Sequence, residues 1–364
     1  MKWSPEQDAA LKAVSAWSKQ RGGPQIFRLF GYAGTGKTTL AKTLAEDFSG
    51  EVAFGAYTGK AALVLRSKGC SDASTIHSLI YRTREADTET PTFVLNNESA
   101  ASKADLIIID ECSMVDEDLG RDLLSFGTKV LVLGDPAQIP PVKGGGFFTD
   151  ATPDAMLTEV HRQAADNPII RLSMIIREGG SLDLGIYGES RVIRRAQLGA
   201  AAVLQADQLL VGINKSRRAY NRRMRELLGF EHSMPEVGER LVCLRNDKKK
   251  GLLNGGMWLV DKLHPMRGTK LKMSVVPEED SKKRPVRINV LPTFFEGGEE
   301  DIPYATRRES DEFDYGYALT VHKAQGSQWD DLVLFDESYA FREHRSRWLY
   351  TGLTRAAEKV TVVL

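Results

Sequence analysis

Short apolar runs alternate with amphipathic stretches through the first 150 residues of the chain. "QIFRLFG", "VAFGAYT", "ADLIIIDE" and "KVLVLGD" are short and almost continuously apolar, the pattern of strands buried on both faces. Between and before them, "WSPEQDAALKAVSAW" and "KTTLAKTLAEDF" carry apolar residues at helical spacing, the first opening on Ser4 and Pro5, residue types that start helices. Such alternation predicts an α/β fold with an open parallel sheet, whose ligands bind beyond the carboxyl ends of the strands. The predicted strands do deliver polar residues at those ends. Further along, "GERLVCLRNDKKKGLLNGGMWLVDKL", "KLKMSVV" and "RPVRINVLPTFF" change the texture to short β-prone runs separated by Gly, Asn, Asp and charged turns. No repeat or low-complexity tract interrupts the pattern.

The first strand end carries "GYAGTGKTT", Gly31 to Thr39, in the strand-to-helix context that a phosphate-binding loop requires. Gly34 and Gly36 let backbone N–H groups turn inward around phosphate, and the helix N-terminus adds positive potential. Lys37 reaches the β and γ phosphates and Thr38 ligates Mg²⁺, so ATP and Mg²⁺ are the expected ligands, with Thr35 and Thr39 in the same cradle. The next strand end carries Asp110-Glu111. Asp110 is placed to hold the metal through water, with Thr38 as the other metal residue, and Glu111 to orient an attacking water. A third, "LVLGDPAQIPPV", brings Gln138 as a γ-phosphate sensor, with Pro140-Pro141 stiffening the exit. A glycine-rich turn and a helix-capping acid are the structural alternatives, but they do not account for Lys37, Thr38 and the acidic pair together.

Composition changes little in this picture. The 364 residues are 42% hydrophobic and 27% charged, enough for two or three folded units. Lys plus Arg and Asp plus Glu number 49 each, so any nucleic-acid surface must come from local clustering. Cys70, Cys112 and Cys243 are widely spaced, which suits a reduced compartment better than a disulfide scaffold. No apolar run approaches membrane-spanning length, and the expectation is a cytoplasmic protein without a membrane partner, in a bacterial or phage-infected cell or associated with its nucleoid.

The ordered set "GYAGTGKTT", "AYTGKAA", "STIHSLI", "DECSM", "GDPAQIPPV", "LTEVHRQ", "ALTVHKAQGSQWDDLVL" and "YTGLTRA" resembles the motifs of superfamily 1 helicases, specifically the RecD-like and phage Dda-like branch, from about Gln7 to Arg355. The resemblance implies two RecA-like P-loop motor domains that hydrolyse ATP between them and move 5′ to 3′ on single-stranded DNA, in replication, repair or recombination. It places the first motor at 1–150, the second at 151–237 and 309–364, and an SH3-like barrel at 238–308 whose core uses Val242, Leu244, Trp258 and Val260. A pin hairpin is expected at 83–103, with Phe93 on a stacking or splitting surface; an ordinary packed hairpin is the alternative.

Residue by residue, the resemblance makes Gln7 the reader of adenine, and Arg162 and Arg355 the arginines presented to the γ-phosphate, whose multi-donor heads suit developing charge. Thr58, Lys60, Thr75 and His77 become contacts to single-stranded DNA, hydroxyls and lysine suiting phosphate contacts that carry no sequence information. In the basic stretch "NKSRRAYNRRMRELLG", Asn214 and Arg217 occupy family positions, while Lys215, Arg218, Arg222, Arg223 and Arg225 also read as a solvated helix face. Thr320 and His322 fall on the DNA side of the "VHKAQG" motif, and Gln325 and Gly326 on its nucleotide side. Lys323 beside His322 also suits Schiff-base chemistry in isolation, but no aldehyde-cofactor framework accompanies it.

The expected partners are single-stranded and tailed duplex DNA, with a single-stranded-DNA-binding or replication protein. A monomer is expected, because both motors lie in one chain. Two other readings stay open: a nucleic-acid-stimulated ATPase switch without processive unwinding, and a P-loop small-molecule kinase, which leaves Gln138 and the later arginines without a purpose.

Overall fold

The computed structural model describes residues 3–83, 93–141, 146–159, 166–247, 249–266 and 268–364. These form two units, one running to Leu182 and regaining Phe341–Thr354, the other comprising Asp183–Ala340 and Arg355–Leu364.

The first unit contains strands β1 (Ile26–Gly31), β2 (Val52–Ala56), β3 (Ser74–Thr75), β4 (Tyr81–Thr83), β5 (Phe93–Leu95), β6 (Leu106–Asp110), β7 (Lys129–Gly134) and β8 (Ala155–Leu157). Six of them make a parallel sheet in the order β3-β2-β6-β7-β1-β8, while β4 and β5 form a separate antiparallel pair. Successive side chains of a strand point to opposite faces. Ile107, Ile109, Val130 and Val132 therefore enter one core with Leu119 and Leu123, and Leu106, Ile108, Leu131 and Leu133 enter the other with Ala10, Val14, Leu40 and Leu44. Each such buried aliphatic contributes about 1.5–3 kcal/mol, so the two-sided strands decide this unit's fold. The helix Pro5–Lys19 starts in a capping box, Ser4 and Gln7 bonding each other's backbone N–H.

This unit runs past the boundary expected at residue 150. β8 hydrogen-bonds beside β1, pairing Leu29 with Ala155 and Gly31 with Leu157, and the helix Pro168–Arg177 belongs to the same unit. So does the helix Arg345–Leu353, far along the chain. Three-residue β8 is too short to register in an apolar pattern, and the return of Phe341–Thr354 is a tertiary event with no local signature.

The second unit holds β9 (Gly185–Tyr187), β10 (Ser190–Ile193), β11 (Gln208–Val211), β12 (Arg240–Cys243), β13 (Met257–His264), β14 (Leu271–Pro277), β15 (Val286–Val290), β16 (Phe313–Tyr315), β17 (Ala318–Thr320), β18 (Trp329–Phe335) and β19 (Ala356–Val363). One sheet, β17-β11-β18-β19-β10-β9, is parallel apart from the β10–β9 hairpin. The other, β15-β14-β13-β12-β16, is antiparallel, and a bridge between Val290 and Asp311 joins its two edges. Its interior takes Leu241, Cys243, Trp258 and Val260, with Leu244 packed against it. Val242, expected in the same core, is instead buried on the opposite face of β12, because successive strand residues alternate and it pairs with Met257. Trp258 meets Phe313 edge to face at 6.4 Å, which makes this indole a core residue.

The helix Asn214–Leu228 shows how charge is divided in this unit. Arg217, Asn221, Met224 and Arg225 follow helical spacing and face inward, whereas Lys215, Arg218, Arg222 and Arg223 are exposed. Arg225 bonds Glu239 through Nε and Nη2 at 2.6 and 2.9 Å, and the Glu239 side chain has no exposure. Removing one partner of such a pair leaves the other charge buried and unmatched. Arg225→Ala is therefore expected to cost about 3–5 kcal/mol in urea unfolding of the second unit, while Arg223→Ala changes it by under about 0.5 kcal/mol.

Burial also governs the thiols. Cys70, Cys112 and Cys243 are all buried and free, and burial raises the pKa of each, that of Cys243 up to about 12. A raised pKa keeps the thiol protonated at pH 8, below the reactive thiolate range. A colorimetric disulfide reagent is expected to find no fast-reacting thiol in the native protein at pH 8, and all three after denaturation.

Candidate nucleotide site and nucleic-acid surface

The turn after β1 is shaped by three glycines. Gly34 and Gly36 both adopt φ near 81°, the left-handed region that side chains disfavour. A Cβ on Gly31 would stand 2.6 Å from Thr35 Oγ1 and 2.8 Å from Leu157 Cβ, so this position has no room for a larger residue. Helix Lys37–Glu46 begins at Gly36 without a side-chain cap, which leaves its first N–H groups to a phosphate. Thr35 is buried and its hydroxyl donates to Tyr32 O at 2.8 Å. Lys37 Nζ lies across the turn, donating to Gly31 O at 2.6 Å and Tyr32 O at 2.9 Å. Thr39 follows on the first turn of the same helix.

The acidic pair closes on this turn from β6. Thr38 Oγ1 donates to Asp110 Oδ2 at 2.9 Å, and the other carboxylate oxygen of Asp110 accepts from the Glu111 N–H at 2.9 Å. Burial and the neighbouring Glu111 charge raise the Asp110 pKa, opposed by the hydrogen bonds from Thr38 and Glu111 and by Lys37. Glu111 itself sits at φ 54°, ψ 46°, a left-handed conformation worth on the order of 1–3 kcal/mol of strain. A Mg²⁺ ion is satisfied by one or two protein oxygens because it keeps phosphate and water ligands. Thr38 and Asp110 fit that demand, and a cation beside them offsets the penalty on the buried carboxylate. Among the described residues no group of three His, Cys, Asp or Glu side chains is gathered for a metal.

Gln138 lies buried in the loop after β7, its N–H bonded to Asp135 O at 3.1 Å and its Oε1 at 3.5 Å from Ser113 Oγ. Asp135 is 2% exposed. Its carboxylate accepts from the Ala137 N–H at 3.0 Å and from the Tyr350 hydroxyl at 2.6 Å, and that hydroxyl in turn accepts from the Ala33 N–H of the turn at 3.0 Å. Thr351 Oγ1 accepts from the Ile139 N–H at 2.9 Å. Sequence reasoning missed Asp135, Tyr350 and Thr351, although "GDPAQ" and "YTGLTRA" contain them. An acid at a strand end in one motif and a tyrosine in another were the available signals, but their pairing required the fold.

Gln7 reaches the same turn. Its Oε1 accepts from Ser4 N–H at 3.1 Å and its Nε2 donates to Thr35 O at 3.0 Å, so the side chain ties the first helix to the phosphate loop. Arg177 lies over the Tyr32 ring, its guanidinium carbon 3.8 Å from the centroid, a cation–π contact beside this turn. Arg162 lies outside the described residues. Arg355 is buried in the second unit, with Nη1 3.4 Å from Ser327 O. Gln325 is buried and Gly326 takes φ 74° in the turn after β17.

The residues expected on DNA occupy varied settings. Thr58 and Thr75 cap helices, accepting from Ala61 N–H at 3.1 Å and Ser78 N–H at 3.2 Å; Lys60 follows on the first turn behind Thr58. His77 lies 5.6 Å from Tyr81 and 6.5 Å from Phe93, ring centre to ring centre, and burial holds its pKa below the usual histidine value. Phe93 is 58% exposed on β5, the described flank of the expected pin, whose residues 84–92 lie outside the described set. Asn214 Oδ1 accepts from Arg217 Nε at 3.1 Å, and Arg217 is buried against Asp314 and Glu299. The arginine is thus committed to an internal network, not displayed on the surface. Thr320 Oγ1 accepts from the Lys323 N–H at 3.3 Å, and half-buried His322 lies between them in sequence. Lys323 reaches Asn254 Oδ1, and burial lowers its pKa to about 8.

With this geometry in place, the chain matches the AAA domain model over residues 2–197 and the UvrD-like helicase C-terminal domain model over 315–363. It is 29% identical to the ATP-dependent RecD2 DNA helicase of Deinococcus radiodurans over 93% of this chain and 47% of that protein. It is 34% identical to the ATP-dependent DNA helicase dda of Enterobacteria phage T4 over 41% of this chain and 37% of that protein. The chain thus spans under half the length of these two relatives. A solved structure of Bacteroides Pif1 bound to ssDNA superposes with a TM-score of 0.57 at 19% identity, covering 99% of this chain and 92% of that one, a likeness of fold. No helix among the described residues is long and apolar enough to cross a membrane. The AAA domain match covers more than half of the chain, which therefore belongs to the AAA domain family, with sequence similarity to the RecD2 and dda DNA helicases.

Proposed function

We propose that this protein is an ATP-dependent DNA helicase or translocase that moves 5′ to 3′ on single-stranded DNA. The observation that carries the reading is the joining of Thr38 to Asp110 at 2.9 Å beside Lys37 and Glu111. A phosphate loop alone serves many enzymes, but a second carboxylate next to the metal carboxylate suits transfer of the γ-phosphoryl group to water. Lys37 and the helix N-terminus bind the phosphates, Thr38 and Asp110 hold Mg²⁺, and Glu111 orients the water. Bound Mg²⁺ supplies charge neutralisation on the phosphate oxygens. Gln138 reports the γ-phosphate to its loop, and Arg162 and Arg355 are the arginines that the family resemblance assigns to that phosphate.

DNA is the proposed track. The relatives named RecD2 and dda are DNA helicases, and the Pif1 structure carries single-stranded DNA. Thr58, Lys60, Thr75, His77, Thr320 and His322 are the proposed contacts. Phe93, exposed beside His77 and Tyr81, offers a ring on which a base can stack. The five-stranded sheet of the second unit is read as the SH3-like insertion of this branch. Asn214 and Arg217 enter only indirectly, because their side chains bond each other and Arg217 is ion-paired.

Two measurements check this reading. Lys37→Ala is expected to weaken binding of a fluorescent ATP analogue by more than about 10-fold, whereas Glu111→Gln keeps binding and lowers single-stranded-DNA-stimulated turnover by about 100-fold or more, the scale of a lost general base. Unchanged turnover in both variants would remove the assigned site. On partial duplexes with ATP, strand displacement is expected from a 5′ tail and not from a 3′ tail. Preference for the 3′ tail overturns the polarity, and stimulated hydrolysis with no displacement from either leaves an ATPase switch.

A further inference from the structure

The helix Arg345–Leu353 contributes a polar device to the first unit as well as apolar packing. Tyr350 is 1% exposed, and its hydroxyl is used twice: it accepts from the Ala33 N–H at 3.0 Å and donates to Asp135 Oδ2 at 2.6 Å. The next residue, Thr351, accepts from the Ile139 N–H at 2.9 Å while its own hydroxyl donates to Arg347 O at 2.7 Å. These bonds hold the phosphate loop at Ala33 and the Gln138 loop on both sides of Gln138, since Asp135 precedes it by three residues and Ile139 follows it directly. The Gln138 N–H is itself bonded to Asp135 O at 3.1 Å. The helix ends at its cap Thr354, and the next residue in the chain is Arg355.

Packing alone does not require a tyrosine here. A phenylalanine fills nearly the same volume, and a buried hydroxyl carries a desolvation cost unless both its roles are met. Here both are met, by groups belonging to two different catalytic loops. The Asp135 carboxylate is buried as well, and burial raises its pKa while Lys37, Tyr350 and the Ala137 N–H lower it. The pair is thus fixed in one geometry by mutual need.

We propose that Tyr350, through Asp135, is a positioning residue for ATP hydrolysis: it sets the Gln138 loop and the phosphate loop in register on the helix that leads to Arg355. The proposal rests on the ATP-hydrolysing function given above. Tyr350 touches no reacting atom in this scheme. Its effect falls on the placement of groups that do, where a misplacement of about 1 Å costs on the order of 100-fold in rate.

The test compares wild type, Tyr350→Phe, Asp135→Asn and the double variant by turnover with saturating single-stranded DNA, by binding of a fluorescent ATP analogue, and by melting temperature. Tyr350→Phe is expected to lower kcat by about 10- to 100-fold with analogue affinity within about threefold of wild type. The double variant is expected to lose far less than the product of the two single losses, because both act through one bond. A kcat within twofold of wild type in Tyr350→Phe overturns the proposal. Parallel loss of affinity, turnover and melting temperature, or losses that multiply, overturns it in favour of a packing role. Wild-type protein that binds the analogue but shows no turnover defeats the ATPase reading itself, and the positioning role with it.

Discussion

Burial of the parallel strands on both faces is the constraint from which the rest follows. A strand such as Leu106–Asp110, with four side chains fully buried in a row, has no polar position before its last residue. Its chemistry must therefore sit at its carboxyl end, where the chain leaves the sheet. β1, β6 and β7 are neighbours in the order β6-β7-β1, and all three run parallel. Their ends deliver the phosphate loop, Asp110-Glu111 and the Asp135–Gln138 loop to one edge. Three short motifs spread over about a hundred residues of sequence become neighbours because hydrophobic burial aligns the strands that precede them.

The same burial makes each polar group at that edge depend on its partners. Asp110 is held by Thr38 and by the Glu111 N–H, Asp135 by Tyr350 and the Ala137 N–H, and Thr35 by Tyr32. In a low-dielectric setting an unmatched carboxylate is costly, while a matched one is rigid. Rigidity at the edge of a stiff sheet is what a site for phosphoryl transfer needs, since its catalysis is mostly placement and electrostatics. Glu111 is the exception: its backbone is strained, and strain tolerated at that one residue places the second carboxylate where a relaxed strand end would not.

Much of the first unit was legible in the sequence because its signals are local. Apolar runs, the Ser4-Pro5 helix start and the Gly34-Gly36 turn each work within a few residues, and the structure realises them as β1, β6, β7, the capping box and two left-handed glycines. What escaped was long-range. β8 is three residues, too few for a period, and the return of Phe341–Thr354 to the first unit places Tyr350 beside Ala33 across more than three hundred residues. The motif "YTGLTRA" drew attention to its arginine, since a charge suggests chemistry by itself. A tyrosine suggests it only when its neighbours are known.

Charge illustrates the same limit from the other side. The basic stretch Asn214–Leu228 reads as a uniform cluster, but the helix sorts it by angle. Lys215, Arg218 and Arg222 are spaced three and four residues apart and share an exposed stripe, while Arg217 and Arg225 turn inward to Asp314, Glu299 and Glu239. Arginine suits the inner positions because its fork satisfies two carboxylate oxygens at once, as Arg225 does on Glu239. Part of the balance of 49 basic against 49 acidic residues is therefore internal. A neutral total conceals both a paired interior and a basic surface stripe, and only the latter can meet a phosphate backbone.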